Sequence, residues 1–147
     1  MPELRVCIDV EDLDKGIAFY TQALGLKLGR RFGDGAAELL GASAPIDILA
    51  RPVGSQATQS APTPRDYRRH WTPVHLDFVV TGLDAAVERA QGLGATLEQP
   101  IQEPVWGRIA LMADPFGHGF CLLEFKGRGY DELFSSEATA ASARSSS

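Results

Sequence analysis

The chain is written twice. A stretch from Glu3 to Gly25, E-L-R-V-C-I-D-V-E-D-L-D-K-G-I-A-F-Y-T-Q-A-L-G, returns in outline from Pro73 to Gly94, P-V-H-L-D-F-V-V-T-G-L-D-A-A-V-E-R-A-Q-G-L-G. The two copies align at a constant offset of 70 residues: Arg5 falls on His75, Val10 on Val80, Leu13 on Leu83, Asp14 on Asp84 and Ile17 on Val87. A period of 70 is too long for a solenoid unit and suits one supersecondary module duplicated once. Each copy reads as a buried strand running into an amphipathic helix, so the fold has to accommodate two equivalent strand–helix units.

In the first copy, Leu4 to Val10 is the strand. Asp12 or Asp14 then opens the helix by capping free backbone N–H groups. Leu13, Ile17, Tyr20 and Leu24 form the expected buried stripe at helical spacing. Gly25 ends the helix, because glycine enters the left-handed region at no steric cost. Three short strands follow, Lys27 to Phe32, Ala36 to Leu40 and Ile46 to Arg51, separated by the turn Gly33-Asp34-Gly35 and the loop 41–45. The second copy continues in the same order. Val74 to Val80 is a strand, and the helix is lined by Leu83, Val87, Ala90 and Leu93 and closed by Gly94. Strands follow at Thr96 to Gln99, Arg108 to Ala113 and Phe120 to Phe125. The expected fold is α+β, two tandem βαβββ modules, with module one at 3–51 and module two at 73–127 inside a domain spanning 1–134. From residue 135 the chain is Ser/Ala-rich with nothing to bury, which predicts a disordered tail over 135–147.

Between the modules, 52–72 holds Pro52, Pro62 and Pro64, and then a mixed basic and aromatic run from Arg65 to Trp71. Its length suits a functional lid or a plain connector. The run is too short and too mixed in sign to bind nucleic acid. The net charge of −5 also argues against nucleic acid or an anionic membrane as partner. No apolar run reaches bilayer length and the N-terminal stretch M-P-E-L-R-V lacks a signal-peptide h-region, so the expected location is cytoplasmic. Cys7 and Cys121 are expected as reduced thiols there.

The duplicated module carries D-L-D-K-G-I-A-F-Y-x-x-x-L-G-L in its first copy and M-A-D-P-F-G-H-G-F-C-L-L-E-F at the close of its second. Together these motifs resemble the vicinal oxygen chelate superfamily, which includes glyoxalase I, extradiol dioxygenases, fosfomycin-resistance thiol transferases and bleomycin-resistance proteins. The resemblance implies a U-shaped sheet around a cleft. In metal-dependent members it also implies a divalent ion held by one residue from the first strand and one from the last strand of each module, acting as a Lewis acid. Carried over position by position, His75 matches the histidine of module two and Asp47 stands for the glutamate of module one. The other two positions hold Arg5 and Cys121. A guanidinium has no lone pair to offer a metal, and a salt bridge from Arg5 to Asp47 is expected to fill that space.

The candidate site residues follow from this register. His75 and Asp77 share one face of a strand and are the acid–base candidates for catalysis. Ligand contact is expected from Arg5, Asp9, Asp47, Trp106, Arg108 and Cys121. Trp106-Gly107-Arg108 in particular suits stacking on a flat molecule with an arginine on its anion. Each candidate also has a structural reading. His75 also reads as a hydrogen-bonded core histidine, Cys121 as a small buried hydrophobe, and Trp106 as a packing residue, while His118 and Glu124 are expected to be structural. No conventional metal site is expected, and His75 with Asp47 is the fallback set. The functional expectation is a small-molecule binder with an aromatic or anionic ligand, working as a homodimer and without a conventional divalent metal. The alternative is a metal-dependent lyase, isomerase or dioxygenase of the same superfamily.

Overall fold

The structure is a computed structural model and describes residues 1–134; the expected disordered tail lies outside the described residues. Module one comprises β1 (Val6–Val10), α1 (Leu13–Leu24), β2 (Lys27–Phe32), β3 (Ala36–Leu40) and β4 (Ile46–Ala50). Module two repeats it as β5 (Leu76–Val79), α2 (Leu83–Gly92), β6 (Thr96–Leu97), β7 (Gly107–Ala113) and β8 (Gly119–Phe125), followed by a 3-10 turn over Gly129–Phe134. Each module forms its own four-stranded sheet, in the orders β1-β4-β3-β2 and β5-β8-β7-β6. The first and last strands of each module pair in parallel, and the remaining pairs are antiparallel. Parallel pairing needs a long crossover, which α1 and α2 begin. The duplication read from the sequence is therefore a duplication of topology. No helix among the described residues is long and apolar enough to cross a membrane.

Local chemistry accounts for the helix ends. Asp12 caps α1 by accepting from the Lys15 amide at 3.0 Å, and Gly25 closes it at φ 71°. The buried stripe of α1 is Leu13, Gly16, Phe19, Tyr20 and Ala23, with Ile17 and Leu24 only half-buried. The expected stripe was thus rotated toward solvent, because apolar spacing alone did not count Gly16 as a packing residue. A Cβ at Gly16 would stand 2.9 Å from Ile48 Cγ2 on β4. Only a bare backbone lets the helix settle this close to its sheet. Helix α2 starts without a side-chain cap of its own. Glu124, on β8, accepts instead from the amides of Gly82 at 2.8 Å and Leu83 at 2.9 Å.

The two modules share one core. Phe19 of α1 meets Phe116 and Phe120 of module two edge-to-face, with ring centres 6.2 and 6.3 Å apart. A polar anchor sits in the same seam. Buried Asp114 accepts from the amides of Phe116 and His118 at 2.8 and 2.9 Å, and Tyr20 donates its hydroxyl to the other carboxylate oxygen. Burial pushes the Tyr20 phenol well up, and the charge of Asp114 and the hydrogen bond add to that push.

The segment 52–72 has no helix or strand and is pinned at four points. Arg65 reaches Asp9 at 2.7 Å, and Tyr67 donates to the Arg51 carbonyl at 2.7 Å. Arg69 grips both oxygens of Glu98 at 2.7 and 2.8 Å, and the Trp71 ring lies 5.1 Å from that of His75. The carbonyl of Tyr67 runs so near the 114–119 turn that a Cβ on Gly117 would come within 2.2 Å of it.

Candidate functional site

Both modules place functional side chains where their first and last strands begin, but the chemistry differs. In module one, Arg5 precedes β1 and holds Asp47 of β4 with two hydrogen bonds, Nε to Oδ2 at 3.0 Å and Nη2 to Oδ1 at 2.8 Å. The expected Arg5–Asp47 salt bridge is present. Its Nη2 also reaches Glu38 Oε2 at 2.6 Å. Glu38 stands directly opposite Asp47 on β3 and is gripped a second time by Arg30, at 3.1 and 3.0 Å. Hydrogen bonds from Arg30 and then Arg5 hold the Glu38 carboxyl down at about 2. These same carboxylates raise the pKa of the Arg5 guanidinium. Two cations and two carboxylates thus close on one another.

In module two the matching place is open. His75 Nε2 lies 3.2 Å from Asp77 Oδ1. Asp77 on β5 is the register partner of Cys121 on β8. One donor atom from each of His75, Asp77 and Cys121 falls within 4.8 Å of the others. The imidazole and carboxylate are exposed while Cys121 is buried at 2 %. Burial pushes the Cys121 thiol up to about 12, with the charge and hydrogen bond of Asp77 adding to the push. The free thiol is therefore protonated at neutral pH and is a poor nucleophile as it stands.

The remaining candidates are dispersed. Asp9 pairs with Arg65, and its carbonyl accepts from His118 Nε2 at 2.7 Å. Trp106 is buried at 8 % and packs edge-to-face on Phe125 and Tyr130, at 5.9 and 5.1 Å, beside Cys121 and Leu123. Arg108 turns instead toward the start of α2, where its Nη1 and Nη2 hold Asp84 at 2.9 Å each. Between them Gly107 presses on β8, where a Cβ would come within 2.0 Å of the Glu124 carbonyl. Trp106 and Arg108 are therefore not brought together as one stack-and-clamp element. A crevice of about 500 Å³ separates the edge strands β1 and β5 and is lined by Cys7, Asp9, Tyr20, Thr72, His75 and His118 among others.

Sequence reasoning missed three residues here. Glu38 was detectable only as a carboxylate on the face of its strand opposite Ala37 and Leu39, not as the neighbour of Asp47. Trp71 and Tyr130 were not, since each arrives from an irregular segment. Tyr130 has its phenol pushed up by burial and by the charge of Asp77, so it borders the module-two cluster.

Two βαβββ modules with functional groups at the strand starts define a paired-module, glyoxalase-type scaffold. Residues 5–123 match the Glyoxalase-like domain family, and the chain belongs to it, within the vicinal oxygen chelate superfamily. It is 34% identical over 128 residues to an uncharacterized protein of Mycobacterium bovis, covering 82% of each chain. Among solved structures it resembles a mutant of the fosfomycin resistance protein FosX from Listeria monocytogenes, complexed with Mn(II) and 1S,2S-dihydroxypropylphosphonic acid. The TM-score is 0.68 at 21% identity, covering 92% of this chain and 99% of that one. A glyoxalase/bleomycin resistance protein/dioxygenase family enzyme from Burkholderia phytofirmans superposes with a TM-score of 0.65 at 20% identity, covering 83% and 97%.

The metal set implied by the superfamily does not fit this chain. Of its four positions, one is the Arg5 guanidinium, already bonded to both oxygens of Asp47, which is a second. A hard cation there would meet a fixed positive charge and a carboxylate whose two oxygens each already accept a hydrogen bond from it.

Proposed function

We propose that this chain binds a small organic molecule, aromatic or anionic, in the cleft between its modules, without a hard divalent ion spanning both of them. The observation that carries the reading is the bidentate hold of Arg5 on Asp47, backed by Glu38. It occupies the module-one half of a chelating site with an ion pair. His75 and Asp77 are the acid–base pair of this proposal, exposed and 3.2 Å apart. Cys121 and the crevice-lining Asp9 contribute contact. Trp106 and Arg108 fall outside it, because one is packed among aromatics and the other is engaged by Asp84.

The test is calorimetric titration of chelator-treated protein with a panel of aromatic carboxylates and phosphonates. Saturable binding that weakens at least about tenfold in His75→Ala is expected. Binding that appears only on adding Mn²⁺ or Mg²⁺ would instead establish the metal-dependent lyase, isomerase or dioxygenase reading. Chromatography of the ligand after long incubation decides between sequestration and turnover.

The proposal includes a homodimer in the cytoplasm. Strand β2 is an exposed sheet edge carrying Leu28 and Phe32, 47% and 55% exposed, and such an edge invites a partner. Light scattering on the purified protein reads its mass directly.

A further inference from the structure

We propose that His75, Asp77 and Cys121 form a three-ligand site for one thiophilic divalent cation, zinc by chemical class, built entirely within module two. The inference goes beyond the cleft reading and does not rest on it: with the ion bound, His75 and Asp77 are its ligands, and their acid–base role belongs to the metal-free chain.

The backbone makes the site. Asp77 and Cys121 face each other across the parallel β5–β8 pair. His75 lies two residues before Asp77, so the pleat sends both side chains to the same side. The result is an imidazole nitrogen, a carboxylate oxygen and a sulfur within 4.8 Å of one another, with the imidazole and carboxylate already at 3.2 Å. Tetrahedral zinc has donor distances of about 2.0–2.3 Å, which puts neighbouring donors about 3.3–3.8 Å apart, so a small inward movement closes the set. One nitrogen, one oxygen and one sulfur ligand suit a borderline-soft ion, while Mg²⁺ and Mn²⁺ prefer all-oxygen shells. Three protein ligands leave a fourth position for water or ligand.

The surroundings agree. Trp106, Leu123 and Leu111 pack around Cys121, and the Trp71 ring lies tilted against that of His75. The ion pairs of Arg5 and Arg108 lie elsewhere, and the guanidinium of Arg69, which lies over the Trp71 ring at 5.6 Å, is held by both oxygens of Glu98. Binding is a plain exchange: the cation gains a sulfur bond and the thiol proton leaves to solvent. Asp77 sets this cluster apart from the two-plus-two superfamily pattern, in which each module supplies two ligands.

Cobalt reads the site directly. The reduced, metal-free chain is titrated with Co²⁺ in the absence of organic ligand. The expected result is a near-ultraviolet sulfur-to-cobalt band with four-coordinate visible bands, saturating at one ion per chain and abolished by one equivalent of Zn²⁺. Cys121→Ser is expected to lose the near-ultraviolet band, and Cys7→Ser to keep it. His75→Ala and Asp77→Asn are expected to weaken zinc at least about tenfold in competition with a chromophoric chelator. The last two positions are exposed, so those variants report even where Cys121→Ser folds poorly. Absence of the cobalt bands in the parent chain, their survival in Cys121→Ser, or equal zinc affinity in His75→Ala and the parent would each overturn the proposal. Ligand binding by metal-free protein tests the cleft reading separately.

Discussion

The two modules share a topology and differ in what stands at its most sensitive point. Where module two offers an imidazole, a carboxylate and a thiol, module one offers a network of two arginines and two carboxylates that satisfies itself. The offset of 70 makes the difference concrete. Arg5 stands where module two has His75, and Cys7 where it has Asp77, while Asp47 and Cys121 are the matching register partners. A duplicated scaffold can therefore keep its strands and helices while one copy trades exposed chemistry for internal ion pairing. The two copies are expected to fold together, since Tyr20, Phe19, Phe116 and Asp114 bind them into one core.

The largest expected effect tests that last statement. Asp114→Ala strips the partner from the Tyr20 hydroxyl and from two amides at once, in a buried seam. A loss of about 2–4 kcal/mol is expected in urea unfolding, with tryptophan fluorescence and far-ultraviolet circular dichroism losing signal together. Two separate transitions would show that the modules fold independently and would break the shared-core account.

The cysteines sharpen the contrast chemically. Cys7 is exposed and Cys121 buried. With its thiol pushed up to about 12, Cys121 is thiolate in only about one molecule in ten thousand at pH 8. Labelling by a disulfide reagent is expected to take one thiol quickly and the second at least about 100-fold more slowly in the native protein. Both should label together in denaturant, and Cys7→Ser should remove the fast phase.

Helix seating comes next. Gly16 matches Ala86 at the offset of 70, and both are buried. Gly16→Ala gains up to about 1 kcal/mol of helix propensity but drives a Cβ to 2.9 Å from Ile48 Cγ2. A net destabilisation of about 1 kcal/mol is expected, whereas Ala86→Gly in module two should lose a similar amount through propensity and a small void. Stabilisation by Gly16→Ala would show that the two helices sit alike.

The smallest effect is on titration. The Glu38 carboxyl sits at about 2 in the folded chain, against an ordinary value of 4.5. A folded value below the unfolded one adds stability above the unfolded value, and that stability is lost as pH falls from about 4.5 toward about 2. Arg5→Ala should raise the Glu38 value only part of the way, because Arg30 remains. Carboxyl-resolved NMR titration measures it, and an unchanged Glu38 would remove Arg5 from the network.

Much of this was readable without coordinates. The repeat of 70 predicted both modules, Asp12 or Asp14 and Gly25 marked the ends of α1, and the Arg5–Asp47 pair followed from carrying the superfamily's ligand positions onto the chain. Period-2 patterning also put Asp77 on the face of His75. Glu38 escaped because strand order, not sequence distance, sets it beside Asp47. Trp71 and Tyr130 escaped because irregular segments carry no period to read. The pairing of Trp106 with Arg108 failed for a related reason, since Gly107 lets the chain press against β8 and the two side chains part.

The sequence alone determined the elements and their duplication, because helix caps, turn glycines and apolar alternation act over a few residues. Which charges meet was decided only in three dimensions. Arg65 found Asp9 across 56 positions, and Tyr20 found Asp114 across 94. Side-chain ion pairs and hydrogen bonds act over a few ångströms and depend on which strands and loops the folded chain brings side by side.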